Sequence, residues 1–195
     1  MPRIDTRKFY KASLKRYAQT PQGVQWHSKD SQRIRFEMIL KMLPKDLHNI
    51  TLVDAGCGFG DFYIYLQQHN ITLKKYIGID CLDFMCTIAQ QNTQQQIIHA
   101  DITTKTKLPV GDFYICSGAM NTLTKFESYL FIRNCFTHAK RGFIFNILYG
   151  EATSSSYNYF TQEDIQQLTT SLHVSSFQEA KAYKKNDKTF IFQKL

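Results

Sequence analysis

The sequence has no uninterrupted apolar run near the ~20 residues that a membrane-crossing helix requires. Its start, Met-Pro-Arg-Ile-Asp-Thr-Arg-Lys, carries charge without the apolar stretch of a secretory signal. Nor does it have a C-x-x-C pair. Its cysteines, 57, 81, 86, 116 and 135, are odd in number. That argues against a zinc site or a disulfide framework and for reduced, buried thiols in a cytoplasm. No Gly-Lys-Ser/Thr is present, which excludes a P-loop, and there is no internal repeat or long linker. What is present is ordinary for a globular protein: 195 residues, 43% hydrophobic and 21% charged, enough for one domain with a sizeable core. The expected organisation is a single domain over 1–195, with a helical cap over 1–45 and a core over 50–195.

Charge of one sign is concentrated. Residues 1–50 hold eleven Lys/Arg against four acids, a net +7 of the chain's +8. Such a segment could attract nucleic acid or an acidic substrate, or be a solvated helix face. No nucleic-acid-binding motif accompanies it, which favours the solvated face.

The informative stretch is Thr51 to Asp61. An apolar run, Thr51 to Val53, meets Asp54 and then three glycines at alternate positions, Gly56, Gly58 and Gly60. Apolar spacing resumes at Phe62, Ile64, Tyr65 and Leu66. Strand, glycine turn and helix open a nucleotide-type α/β site, where glycines let a ligand approach the main chain. The spacing G-x-G-x-G differs from the dinucleotide G-x-G-x-x-G, which disfavours an NAD-dependent oxidoreductase. Asp61, at the helix start, competes with any phosphate for the same amides. A cationic ligand without phosphate fits better, and S-adenosylmethionine, with its sulfonium and ammonium, is one.

Val53-Asp54-Ala55-Gly56-Cys57-Gly58-Phe59-Gly60 resembles the first motif of the class I S-adenosylmethionine-dependent methyltransferases. The resemblance extends from about residue 25 to the end. It implies an α/β, Rossmann-like three-layer sandwich: a seven-stranded, mostly parallel sheet with a C-terminal antiparallel hairpin, plus N-terminal helices. Tyr76 to Asp80 reads as the second strand, and Asp80 lies 22 residues after Gly58, the separation at which such folds place a carboxylate on ribose hydroxyls. Leu82, Phe84 and Met85 follow as candidates for the adenine pocket wall, or as core, with Cys81 beside them in the cofactor set, and Gln90 to Gln96 reads as a solvated turn. Ile97 to Ile102 reads as the third strand. The resemblance puts Asp101 on the adenine amine, with the amide of Ile102 nearby, although Asp can also be a turn residue. Asp112 to Asn121 covers the fourth strand and its loop. Ser117 to Asn121, with Ser117 and Gly118 in the cofactor set, should face the methyl group, because ligands of open α/β sheets sit beyond the C-terminal strand ends. That loop lacks the Asp/Asn-Pro-Pro-Tyr of enzymes that methylate base or glutamine amides.

A helix over 126–137 and a strand over 141–148 come next, then a Ser/Tyr-rich loop at Glu151 to Tyr159 that reads as lying near the substrate mouth. A capped helix from Thr161 follows, then strands over 173–183 and 188–195 joined by Lys184 to Asp187. Upstream, Phe9, Tyr10, Leu14 and Tyr17 suggest an amphipathic helix over 5–18, and Ser28 could cap a helix reaching about Leu43. By resemblance, Trp26, Ser28, Gln32 and Arg35 face the methionine end of the cofactor, Arg35 on its carboxylate. An ordinary wet polar face is the alternative.

The whole reads as a soluble, cytoplasmic methyltransferase. Its cofactor-binding set is Trp26, Gln32, Arg35, Asp54, Gly56, Cys57, Gly58, Gly60, Asp80, Cys81, Leu82, Met85, Asp101, Ile102, Ser117 and Gly118. No metal is called for, and no catalytic residue is assigned. His27, Asn121, Asn146 and Tyr149 are the polar groups at the expected mouth. The acceptor is read as a small molecule, with RNA as the rival and a non-catalytic cofactor-binding module as a further alternative.

Overall fold

In a computed structural model of the protein, described for residues 29–104, 107–152, 154–181 and 183–195 and at positions 5 and 8, one mixed sheet organises the chain. The first helix, α1 (Lys29–Met42), leads to β1 (Thr51–Ala55) and α2 (Asp61–Gln68). Next come β2 (Lys75–Asp80), α3 (Asp83–Thr93), β3 (Gln96–His99) and β4 (Gly111–Ser117). A 3₁₀ turn (Ala119–Thr122) leads into α4 (Lys125–His138), β5 (Ala139–Tyr149) and β6 (Tyr159–Phe160). The chain closes with α5 (Gln162–Ser171), β7 (Ser176–Glu179) and β8 (Asp187–Gln193). The strand order is β3-β2-β1-β4-β5-β8-β7, with the short β6 also paired to β5. β3, β2, β1, β4 and β5 run parallel, whereas β8 is antiparallel to both β5 and β7.

Strand alternation produces two apolar layers. Val53, Tyr114, Cys116, Phe143, Phe145, Phe190 and Phe192 pack with α4 and α5 on one face. Leu52, Phe113, Ile115, Ile144 and Ile191 pack with Phe36 and Ile39 of α1, Leu43 just after it, and Phe62 and Leu66 of α2 on the other. Helices thus cover both faces, as parallel strands buried on both sides demand. The helix start expected at Thr161 has a mechanism, and the helix expected from 126 starts one residue earlier for the same reason. Thr124 with Glu127, and Thr161 with Asp164, form reciprocal capping boxes.

Several boundaries differ from expectation, each for a local reason. β3 stops at His99, because Asp101 Oδ1 accepts bonds from the Thr103 amide (2.9 Å) and hydroxyl (2.6 Å) and folds the chain into a turn. α3 runs on to Thr93 and closes on Gln94 at φ 55°. β7 is only four residues long and exposed throughout, an edge strand with few side chains to anchor it. β6 is too short to show a period. The expected hairpin turn is present, closed by a bridge between Lys184 and Asp187. The amphipathic pattern over 5–18, together with Trp26, His27 and Ser28, lies outside the described residues. No helix among the described residues is long and apolar enough to cross a membrane.

Candidate active site

A cavity of about 1370 Å³, counted out into its open mouth, sits beyond the C-terminal ends of β1, β2, β3 and β4. The glycine loop forms its floor. Gly56 (φ 78°) and Gly60 (φ 83°) hold left-handed backbone that disfavours other residues. A Cβ at Gly56 would lie 2.3 Å from the Ala119 Cβ, and one at Gly60 would lie 2.3 Å from the Thr93 Cγ2. The loop therefore needs glycine both for its turn and for the elements pressed against it. Gly60 caps α2 and does not line the cavity itself.

Asp80, at the end of β2, braces this loop. Its two oxygens accept the amides of Gly58 (3.0 Å) and Leu82 (3.0 Å). Burial pushes its carboxyl up to about 6, with those amides pulling the other way. Asp54 is buried at the end of β1 and accepts the Tyr76 hydroxyl at 2.7 Å. Its carboxyl is pushed up to about 7 by burial, against the Tyr76 bond, with Asp80 and Asp61 adding like-charge repulsion. Asp61, in the first turn of α2, accepts Gln32 Nε2 from α1 at 2.7 Å. Burial raises its pKa too, and the Gln32 bond opposes the rise.

Of the sequence-predicted residues, Gln32, Arg35, Asp54, Gly56, Cys57, Gly58, Asp80, Cys81, Leu82, Met85, Asp101, Ile102, Ser117 and Gly118 all line this one cavity. Trp26 is outside the described residues. Arg35 lines the cavity, but its guanidinium is committed: it forms a buried ion pair with Asp187 of β8. Asp101 both lines the cavity and holds the Thr103 turn, so the two readings of it coexist. Cys81 is exposed, contrary to the expectation of buried thiols, while Cys57, Cys116 and Cys135 are buried. Asn121 reaches the cavity, but Tyr149 and Asn146 do not. Lys188 Nζ sits 3.9 Å from the Tyr149 ring centroid, and Asn146 is buried among the Ser117, Thr189 and Tyr183 side chains. The sequence reading missed Glu127 and Tyr157 as lining residues. Glu127 announces only a helix cap, and Tyr157 stands in a patternless Ser/Tyr loop.

The lining contains five carboxylates, Asp54, Asp61, Asp80, Asp101 and Glu127, against one cation among the described residues, the already paired Arg35. Such a lining suits a ligand with positive charge. The strand-end acids suit one bearing vicinal hydroxyls and an exocyclic amine, all of them donors. These are the groups of S-adenosylmethionine, and the residues present fit it.

Fold and site thus define a Rossmann-like protein with an adenosyl-type cofactor seat. Residues 53–145 match the family described as a methyltransferase domain. Over that span the chain carries a class I S-adenosylmethionine-dependent methyltransferase domain. No curated protein sequence matches it. Among solved structures, it is similar to magnesium protoporphyrin IX methyltransferase of Synechocystis PCC 6803 with bound cofactor. That match has 15% identity and a TM-score of 0.67, over 100% of this chain and 86% of that one. A methyltransferase of Clostridium acetobutylicum matches at 14% identity and TM-score 0.61, over 95% and 97% of the two chains. A Thermotoga maritima protein described as a possible histamine N-methyltransferase matches at 14% and 0.62, over 82% and 86%. At such identities the likeness speaks for the fold alone.

Proposed function

We propose that the protein transfers the methyl group of S-adenosylmethionine to a small-molecule acceptor held above Ser117 and Gly118. One observation carries this: the αL glycine loop, the carboxylates of Asp80 and Asp101, and Ser117 and Gly118 at the end of β4 line one cavity. In this reading Asp80 takes the ribose hydroxyls with the lone pairs left by the Gly58 and Leu82 amides. Asp101 takes the adenine amine, Leu82 and Met85 wall the base, and Asp54, Asp61 and Gln32 face the methionine end. Arg35 acts through Asp187, fixing α1 over the site. The sulfonium supplies an activated methyl group. The chain's own residues then orient the nucleophile in line with it and exclude water.

Small-molecule acceptors are supported by the cavity and by the names of the similar structures, which include a magnesium protoporphyrin IX methyltransferase and a possible histamine N-methyltransferase. The RNA alternative rests on the basic first fifty residues, and filter binding at low ionic strength tests it. A salt-sensitive RNA complex would favour it, and none would remove it. The reading as a whole is tested by calorimetric titration with S-adenosylhomocysteine beside NADH. Binding of the former alone is expected, and binding of NADH alone would overturn it.

A further inference from the structure

The hydrogen bonds behind the cavity wall determine which atom Ser117 offers to a ligand. Ser117 ends β4, is half-buried and lines the cavity. Its Oγ lies 3.0 Å from Asn146 Oδ1 on the neighbouring β5. Asn146 is 1% exposed, and its Nδ2 meets Thr189 Oγ1 and, at 3.3 Å, the Tyr183 hydroxyl. Those two hydroxyls also touch each other, at 2.9 Å. Counting hydrogens orients the amide. With Nδ2 toward the pair, its two hydrogens serve both oxygens, and a hydroxyl hydrogen remains for the contact between them. Turned over, the amide oxygen could take the Thr189 hydrogen while the Tyr183 hydrogen bridges the 2.9 Å contact, but the Tyr183 oxygen would then face the amide oxygen at 3.3 Å with no hydrogen between them, so only the first orientation serves all three contacts. Burial pushes the Tyr183 phenol up to about 12, so it keeps its hydrogen at neutral pH. Asn146 therefore presents its oxygen to Ser117, and the Ser117 hydrogen is spent on it. Only lone pairs of Ser117 Oγ are left for the cavity.

We infer that the acceptor's attacking group carries an N–H or O–H and no negative charge, an amine being the best fit, because Ser117, set by Asn146, can only accept and the lining is otherwise acidic. A carboxylate would bring lone pairs against the lone pairs of Ser117 Oγ. An amine places one N–H on Ser117 Oγ, which aims its own lone pair at the methyl carbon. The new N–C bond forms as the C–S bond breaks, with that bond's electron pair returning to sulfur. The amine gives its extra proton to bulk water before it attacks, and the methylated product carries the positive charge as an ammonium. Asn146 is a positioning residue here, since it acts through Ser117. The inference rests on the methyltransferase reading above.

The test uses the full chain and counts S-adenosylhomocysteine formed with matched acceptors: phenethylamine against hydrocinnamate, and histamine against imidazolepropionate. Turnover of the amines at about tenfold or more over their carboxylates is expected, the worth of one hydrogen bond. Ser117→Ala should erase that ratio. Asn146→Ala frees the Ser117 hydroxyl to donate, and should lower the ratio by about tenfold rather than slow both acceptors equally. Equal or better turnover of the carboxylates, no turnover of any amine, or an Asn146→Ala loss equal for both members of a pair would overturn the inference. S-adenosylhomocysteine binding measured on the same preparation separates the two failures. If it binds, only the acceptor class falls; if it does not, the methyltransferase reading falls with it.

Discussion

Lowering the pH should loosen the grip on S-adenosylmethionine well before it unfolds the protein. Asp54 and Asp80 are buried beside the glycine loop, with carboxyls raised to about 7 and about 6. At about pH 8 both are ionised, and the cationic ligand meets two negative charges. At about pH 5.5 Asp54 is ~97% and Asp80 ~75% protonated in the free protein, and binding must first expel those protons. If the bound ligand returns both carboxyls to the ordinary range, affinity falls about a hundredfold between these pH values, or ~2.7 kcal/mol. Calorimetry over this range, repeated in buffers of different ionisation enthalpy, reads both the affinity and the protons released. About one proton should leave per ligand near pH 6.5, since ~0.76 of Asp54 and ~0.24 of Asp80 then carry one. Asp54→Asn should remove most of the slope. An affinity that is flat across the range, or that strengthens on acidification, would refute the reasoning.

The same carboxyls determine how the free protein responds to pH. For Asp54 the folded value, about 7, lies above the unfolded 3.8, so the native state holds a proton that the unfolded chain releases. Stability from this group is present below the unfolded value and is lost as pH rises to the folded one. That loss is on the order of 4 kcal/mol. Asp54→Asn should therefore raise the melting temperature of the ligand-free protein near pH 8 while weakening cofactor binding, and a lower melting temperature there would contradict the buried-charge account. Asp80→Ala should cost about 1–3 kcal/mol of S-adenosylhomocysteine affinity in a folded protein, because a charge-assisted acceptor is gone; unchanged calorimetric affinity removes the ribose role. Gly56→Ala, with its Cβ 2.3 Å from that of Ala119, should both destabilise the fold by about 1–3 kcal/mol and weaken the ligand, seen by melting and titration together. Arg35→Ala leaves Asp187 buried without its guanidinium and should cost about 3–5 kcal/mol by denaturant unfolding, whereas Arg35→Met combined with Asp187→Leu should cost much less.

What was legible in the sequence was local. Alternate glycines, an acid closing a strand and an apolar period all lie within a few residues of one another. Strand, loop, Asp80 and Asp101 could therefore be read before any coordinates. The cavity also brings together most of the residues singled out in this way. What was not legible depends on distant pairing. Arg35 and Asp187 are 152 positions apart, so nothing near Arg35 shows that its charge is already met. Asn146 interrupted an apolar strand and plainly needed a partner, but its partners, Ser117, Tyr183 and Thr189, come from three other segments. Glu127 was hidden by its capping role, since a Glu three residues after a Thr is explained without a site. The early end of β3 follows from a side chain, Asp101, bonding its own backbone neighbourhood, which competes with strand pairing wherever Asp is followed by Thr.

The measurement that tests the central claim most directly is a crystal structure of the protein with S-adenosylhomocysteine. The account predicts the ribose hydroxyls on Asp80, the adenine amine on Asp101, and the sulfur facing Ser117 across the Gly56–Gly58 loop. A ligand seated elsewhere, or turned so that Asp80 touches no hydroxyl, would contradict it.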